Sequence, residues 1–276
     1  MEAAESAALS EMARGALRDL LLCLADSKRV LGLRYSDRML GAPALEAGIA
    51  ASSMAQDEWG HARLTYALLS DFGDDPKALE TERSAAEYRS LAALDAPLDS
   101  WPAMIAAVLV ADTALSVQYR ALLDSRYQPV HNRVQKLLDE EAFHFQYAAG
   151  WTRQIAAAAE MRADLVAELR RMLPEALLWF GREEAEGARA LLAEGVVSEG
   201  ADALRARLLA RVGPVLRSAG LAEEVGVAEG GGGWIFGEPL VWPEWSDSAR
   251  RADGTQPDER VVERARGDRN RAMRVE

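Results

Sequence analysis

Asp139-Glu140-Glu141-Ala142-Phe143-His144-Phe145 is the stretch that decides how this chain reads. It lies inside a long helical pattern. A Glu three residues before a His puts both side chains on one helix face, one turn apart. The same pair occurs earlier, as Glu58 and His61 in Asp57-Glu58-Trp59-Gly60-His61. The chain has three histidines, and two of them close such a pair. Ala51, Met54, Ala55, Ala62, Thr65 and Leu68 share the face of the first pair. Val134, Leu137, Leu138, Phe145 and Ala148 share that of the second. Polar groups on apolar stripes are costly unless paired, hydrogen-bonded or metal-bound.

Outward from these two segments, residues 7–39, 44–71, 101–125 and 130–159 carry helical periodicity and make a candidate four-helix bundle. Ser10 and Ser100 stand where N-caps belong, and Pro102 falls in a first turn, where proline is tolerated. Leu40-Gly41-Ala42-Pro43 and Gln128-Pro129 break the pattern between helices. Residues 72–99 are acidic and interrupted by Gly73, Pro76 and Pro97, so they read as loop plus a short helix. Three more amphipathic helices are expected at 162–173, 175–194 and 199–218, with Pro174 and Pro214 as the irregular points. After Leu221 the character changes. A four-glycine run, Gly230 to Gly233, precedes Trp234, Trp242 and Trp245, which are expected to pin an extended segment onto the helical body or a partner. The last 26 residues, dense in Arg, Asp and Glu, read as a solvated end. The expected organisation is a helical domain over 1–221 and an extended tail over 222–276.

Of the 276 residues, 49% are hydrophobic, ample for a helical core. The formal net charge of −12 speaks against nucleic acid as a partner, and an anionic ligand would need a local basic patch. Cys23 is the only cysteine, so neither a disulfide framework nor a thiolate cluster is available. No apolar run reads as a membrane span and no signal-peptide pattern opens the chain, which is expected to be soluble and cytoplasmic.

The third helix places Asp112 on a face with Ile105, Val108, Leu109, Leu115, Ser116 and Tyr119. Taken singly, a Glu-x-x-His pair is an ordinary surface pair, and a lone Asp112 is a hydrogen-bonded core acid. Two Glu-x-x-His helices with a carboxylate from each of two others form the inward-facing ligand set of ferritin-like di-metal carboxylate bundles. Imidazole plus carboxylate suits iron or manganese. The first helix departs from the pattern. The centre of its stripe of Leu21, Leu24, Ala25, Leu31, Gly32 and Tyr35 is Lys28. Asp26 lies about 200° around the helix from it and could reach the site only through a π-bulge or a shifted helix start. Lys28 either snorkels outward or points in, hydrogen-bonded to one or more of Glu58, Asp112 and Glu141. His131 has Gln128 rather than an acid at −3 and reads as a surface residue.

At these residues the chain resembles the phenylacetic acid catabolic proteins, subunits of multicomponent oxygenases that epoxidise the ring of phenylacetyl-CoA. Ala42-Pro43-Ala44-Leu45 through His61, and Val110-Ala111-Asp112 through His144, are similar to the catalytic subunit. Leu24-Ala25-Asp26-Ser27 and the stretch from Gly187 to Leu221 look like the non-catalytic partner subunit. The resemblance spans roughly residues 20–221. It implies an all-α, ferritin-like bundle with a di-iron centre, whose ligands match Glu58, His61, Asp112, Glu141 and His144. The first-helix Glu of the catalytic subunit falls on Lys28. Two iron ions are expected if a sixth ligand is supplied, and one or no metal otherwise. The implied activity is an O₂-dependent monooxygenase acting on an aryl-CoA thioester, with electrons from a separate reductase and a homologous subunit or a second copy as partner. The alternative is a non-catalytic structural subunit whose site Lys28 has modified. Iron storage is a third reading, and the long loops and tail are unlike a cage subunit.

Overall fold

The computed structural model describes residues 9–267. The Ser10 hydroxyl accepts a hydrogen bond from the Ala13 N–H and starts helix α1 (Glu11–Arg38). An acid in its first turn and a base in its last suit the helix dipole. From Leu20 to Tyr35, every α1 residue except Arg29 is buried. Helix α2 (Leu45–Leu68) packs along it. Gly32 permits this close approach, because a Cβ there would stand 2.6 Å from the Trp59 indole. After the short α3 (Pro76–Thr81), Ser100 caps α4 (Trp101–Ala106), with Pro102 in its first turn. A π-helical segment (Ala107–Asp112) carries the same rod into α5 (Thr113–Ala121). Helix α6 (Gln128–Ala157) completes a four-rod, ferritin-like, all-α bundle.

Beyond the bundle, α7 (Ala159–Trp179) runs straight through Pro174, where the sequence suggests a break. Leu165, Leu169, Met172, Leu173, Ala176 and Leu177 are all buried on this helix. Burial of that continuous face outweighs the hydrogen bond a proline forfeits. The chain turns at Gly181, whose φ of 84° favours glycine, so the expected 175–194 helix splits and only α8 (Glu186–Ala193) follows. Helix α9 (Ala201–Ser218) likewise contains Pro214. Trp101–Ala121 is long and apolar enough to cross a membrane, a span the sequence reading does not expect. Its most apolar 18-residue window is 94% buried inside the protein, as the core rod of a bundle would be.

The segment expected to be extended carries its own order. Strands β1 (Val227–Gly230) and β2 (Gly233–Phe236) form an antiparallel hairpin around Gly231 and Gly232, both with positive φ. Trp234 lies so close over Gly213 of α9 that a Cβ there would meet its ring at 2.2 Å. Trp242 and Trp245 meet edge to face at 5.1 Å, and the guanidinium groups of Arg182 and Arg205 lie over Trp242. Strands β3 (Trp245–Ser246) and β4 (Arg251–Ala252) form a second hairpin. The buried Arg251 guanidinium donates to the Ser90 carbonyl and pairs with Asp95. Helix α10 (Glu259–Arg266) then packs against α1 and α3. The expectation of a solvated final stretch therefore fails over its described part. Val261, Val262 and Ala265 form an apolar stripe that the surrounding charge conceals in the composition, and all three are buried. Residues 268–276 lie outside the described part.

Candidate metal centre

Four rods each deliver polar side chains to one point in the core. Lys28 comes from mid-α1, Glu58 and His61 from α2, Asp112 from the end of the π segment, and Glu141 and His144 from α6. All six are buried. The Lys28 ammonium points inward, 2.5 Å from Glu141 Oε1, 2.6 Å from Asp112 Oδ1 and 3.0 Å from Glu58 Oε2.

Glu58 Oε1, which also accepts from the Lys28 ammonium at 3.2 Å, and the other oxygens of Asp112 and Glu141 turn towards His144. Its Nδ1 lies 3.1 Å from Asp112 Oδ2, 3.2 Å from Glu58 Oε1 and 3.8 Å from Glu141 Oε2. The Tyr35 hydroxyl donates to Asp112 Oδ2 at 3.2 Å, and Ser116 Oγ donates to Glu141 Oε2 at 2.8 Å. His61 stands on the Lys28 side. Its Nδ1 is 3.0 Å from Glu141 Oε1, close enough for a charge contact yet without a hydrogen bond.

The outer nitrogens of the two imidazoles are held by a reciprocal exchange. His61 Nε2 meets Glu140 Oε2 at 2.8 Å, and His144 Nε2 meets Asp57 Oδ2 at 3.2 Å. Asp57 precedes Glu58 and Glu140 precedes Glu141, so the acid before each Glu-x-x-His serves the histidine of the other pair. The doubled acids Asp57-Glu58 and Glu140-Glu141 are the signal in the sequence that could have named these two residues. An imidazole whose outer N–H is donated to a carboxylate presents its inner nitrogen with fixed orientation, an arrangement common at metal sites.

The charges follow from this crowding. Burial acts against the Lys28 ammonium, but Asp112, Glu141 and Glu58 together raise its pKa well above the ordinary lysine value. Burial likewise pulls His144 down, and hydrogen bonds to Asp112 and Glu58 more than reverse it, to about 12. His61 is raised in the same way, burial opposing and Glu141 prevailing. Burial, with Asp112 beside it, pushes Glu58 up to about 7. Burial also opposes the Asp112 charge, yet Lys28 and His144 hold its carboxyl well below the usual range.

A metal ion can be held by Glu58, Asp112, Glu141 and His144, whose ligand atoms all lie within 4.8 Å of one another. Donors about 2.1 Å from an ion stand about 3.0 Å apart at right angles and about 4.2 Å apart across it. The separations around His144 Nδ1 therefore fit one ion with small side-chain adjustments. They do not fit two, because the Lys28 ammonium occupies the other half of the cluster, beside His61. Asp26 does not reach the cluster. Helix α1 stays α-helical past it, and Asp26 pairs with Arg83 while accepting from the Tyr66 hydroxyl at 2.5 Å and the Arg89 N–H at 2.8 Å. His131 is exposed, with Nδ1 2.6 Å from the Leu123 carbonyl oxygen.

No curated protein matches the chain. A family model described as phenylacetic acid catabolic protein matches residues 1–233, which hold the whole bundle and helices α7 to α9. Helix order, the two crossed Glu-x-x-His pairs and that match agree, and the chain belongs to the phenylacetic acid catabolic protein family.

Proposed function

We propose that this chain is the metal-binding subunit of a multicomponent oxygenase acting on an aryl-CoA thioester. One iron ion would be held by Glu58, Asp112, Glu141 and His144, and Lys28 would take the place of the second ion. The observation that carries the reading is the division of Asp112 and Glu141 between the Lys28 ammonium and the His144 side of the cluster, with Glu58 Oε1 shared by both. Three carboxylates against one ammonium leave two negative charges, which one divalent ion cancels when it displaces the proton that His144 otherwise carries. Bound iron would supply O₂ activation. The chain's own residues orient and enclose it: Asp57 fixes His144, Tyr35 fixes Asp112 and Ser116 fixes Glu141. Partner subunits belong to the reading, with a separate reductase and a homologous chain or second copy. The exposed Leu40, Leu45, Ile49 and Phe143 are apolar surface available to them.

One observation favours a second reading. The ammonium touches all three carboxylates, and His144, raised to about 12, adds a second positive charge, so the cluster can stand without metal, as in a structural subunit beside a catalytic homologue. Elemental analysis after anaerobic iron loading separates the two. About one iron per chain supports the metal-binding reading, and none supports the structural one. The Lys28→Glu protein, with a fourth carboxylate, is expected to bind two. Two irons in the unaltered protein would show that Lys28 does not limit the site.

A further inference from the structure

Away from the metal cluster, a cavity of about 650 Å³ opens between the start of α1, the turn from α7 into α8, and the turn of the second hairpin. The buried Leu20, Phe180 and Leu191 give it an apolar lining. Along α1 it reaches only to Leu20, about 12 Å of helix short of Lys28. Its charges lack partners. Asp19 is paired with Arg18 and Arg89, but among the described residues no ion pair engages Glu11, Asp247, Arg182 or Arg250, which also line the cavity. Arg250 reaches inward. Its guanidinium lies 5.2 Å over the ring of the buried Trp179 and donates to Gln118 Oε1 at 2.9 Å. A neutral amide and a ring face compensate a buried cation poorly. Burial accordingly lowers it below the ordinary arginine value. Its backbone is strained as well. Among the described residues Arg250 alone, glycines apart, has a positive φ, 51°. Side chains avoid that region, and strain of this kind gathers at ligand sites. Asp247, three residues earlier in the same turn, feels the Arg250 charge yet makes no ion pair with it.

We propose that this cavity binds a large apolar α-amino acid as its zwitterion, with the carboxylate on Arg250, the ammonium towards Asp247 and the side chain against Leu20, Phe180 and Leu191. The balance of charge selects this class. A simple anion would leave the carboxylates of Glu11 and Asp247 unanswered, and a simple cation would leave the Arg250 guanidinium as it is. A ligand that carries both charges on one short stem can stand between Asp247 and Arg250. A guanidinium fork matches its carboxylate in two parallel hydrogen bonds. The apolar lining takes the side chain, and the volume lies within the range of ligand cavities, about 300–1,000 Å³. The inference goes beyond the oxygenase reading and requires no bound metal.

The test is calorimetric titration of the full chain with three probes. L-tryptophan carries both charges, tryptamine lacks the carboxylate, and indole-3-propionate lacks the ammonium. One site is expected, with L-tryptophan favoured over each of the others roughly tenfold or more, the worth of one charged hydrogen bond. Arg250→Gln should erase the margin over tryptamine, and Asp247→Asn the margin over indole-3-propionate. Gly15 lines the cavity at a position where a Cβ meets nothing within 4 Å, so Gly15→Leu should fill the space and abolish binding. If Arg250→Gln fails to fold, Asp247→Asn, on an exposed turn, and Gly15→Leu decide the matter. Absence of L-tryptophan binding, or equal affinity for the three probes, would overturn the proposal. So would an unchanged margin in either folded charge variant, or undiminished binding to Gly15→Leu.

Discussion

Replacing Lys28 with methionine removes the ammonium and keeps an unbranched apolar side chain in the bundle. In the metal-free protein this leaves three carboxylates, all at least 96% buried, without the charge that stands 2.5–3.0 Å from each of them. Breaking a buried ion pair by removing one partner costs about 3–5 kcal/mol. For a domain of this size each kcal/mol shifts Tm by about 2–4 °C, so the loss should be on the order of 10 °C. Urea unfolding of chelator-treated protein should show the same loss as a lower midpoint with an unchanged slope. A divalent metal should then restore more stability to Lys28→Met than to the unaltered protein, because it fills the position the ammonium leaves. The reasoning is refuted if Lys28→Met loses less than about 1 kcal/mol without metal, or if metal stabilises both proteins equally.

Asp26→Asn should leave metal content unchanged, since Asp26 faces Arg83 and Tyr66 rather than the cluster. It should nevertheless cost about 3–5 kcal/mol by stranding the Arg83 guanidinium, and reduced iron binding in a folded Asp26→Asn protein would contradict this placement. Cys23 is buried, and burial pushes its thiol up to about 12. Thiol reagents at pH 8 should leave it unmodified until urea unfolds the chain, so rapid labelling of folded protein would count against that packing. Gly213→Ala would drive a methyl group into the Trp234 ring. A loss of about 1–3 kcal/mol is expected, with a red shift in emission that is absent in a Trp234→Phe background.

The bundle was legible because its signals are local. Ser10 and Ser100 cap where the spacing places them, and the two Glu-x-x-His pairs fix which faces turn inward. Lys28 was legible as a question, since its position in an apolar stripe allows two destinations. The carboxylates of three other helices decide between them, and no window of sequence around Lys28 contains those partners. Asp57 and Glu140 escaped notice for the same reason, because each acts on a histidine of another helix. Pro174 and helix α10 show the opposite limit. A local rule argues against Pro174 inside a helix, and the charged composition hides the apolar stripe of α10; burial against distant helices decides both.

The π segment before Asp112 gives these helices a further property, which concerns inheritance rather than chemistry. Its i→i+5 bonding accommodates one residue more than an α-turn, so a single codon deletion within 107–111 could turn the rod into an uninterrupted α-helix. The helix itself would gain regular hydrogen bonding. Five residues of α-helix turn the rod about as far as the six of the wider segment, so the Asp112 carboxylate would keep its direction towards Lys28. Losing the wide turn without losing a residue would instead swing Asp112 by about 100°, the rotation contributed by one residue, and leave Lys28 facing two carboxylates. The extra residue and the wide turn are therefore a matched pair, which a lineage can lose together but not separately. Deletion variants scored for unfolding and for metal content should accordingly keep the cluster.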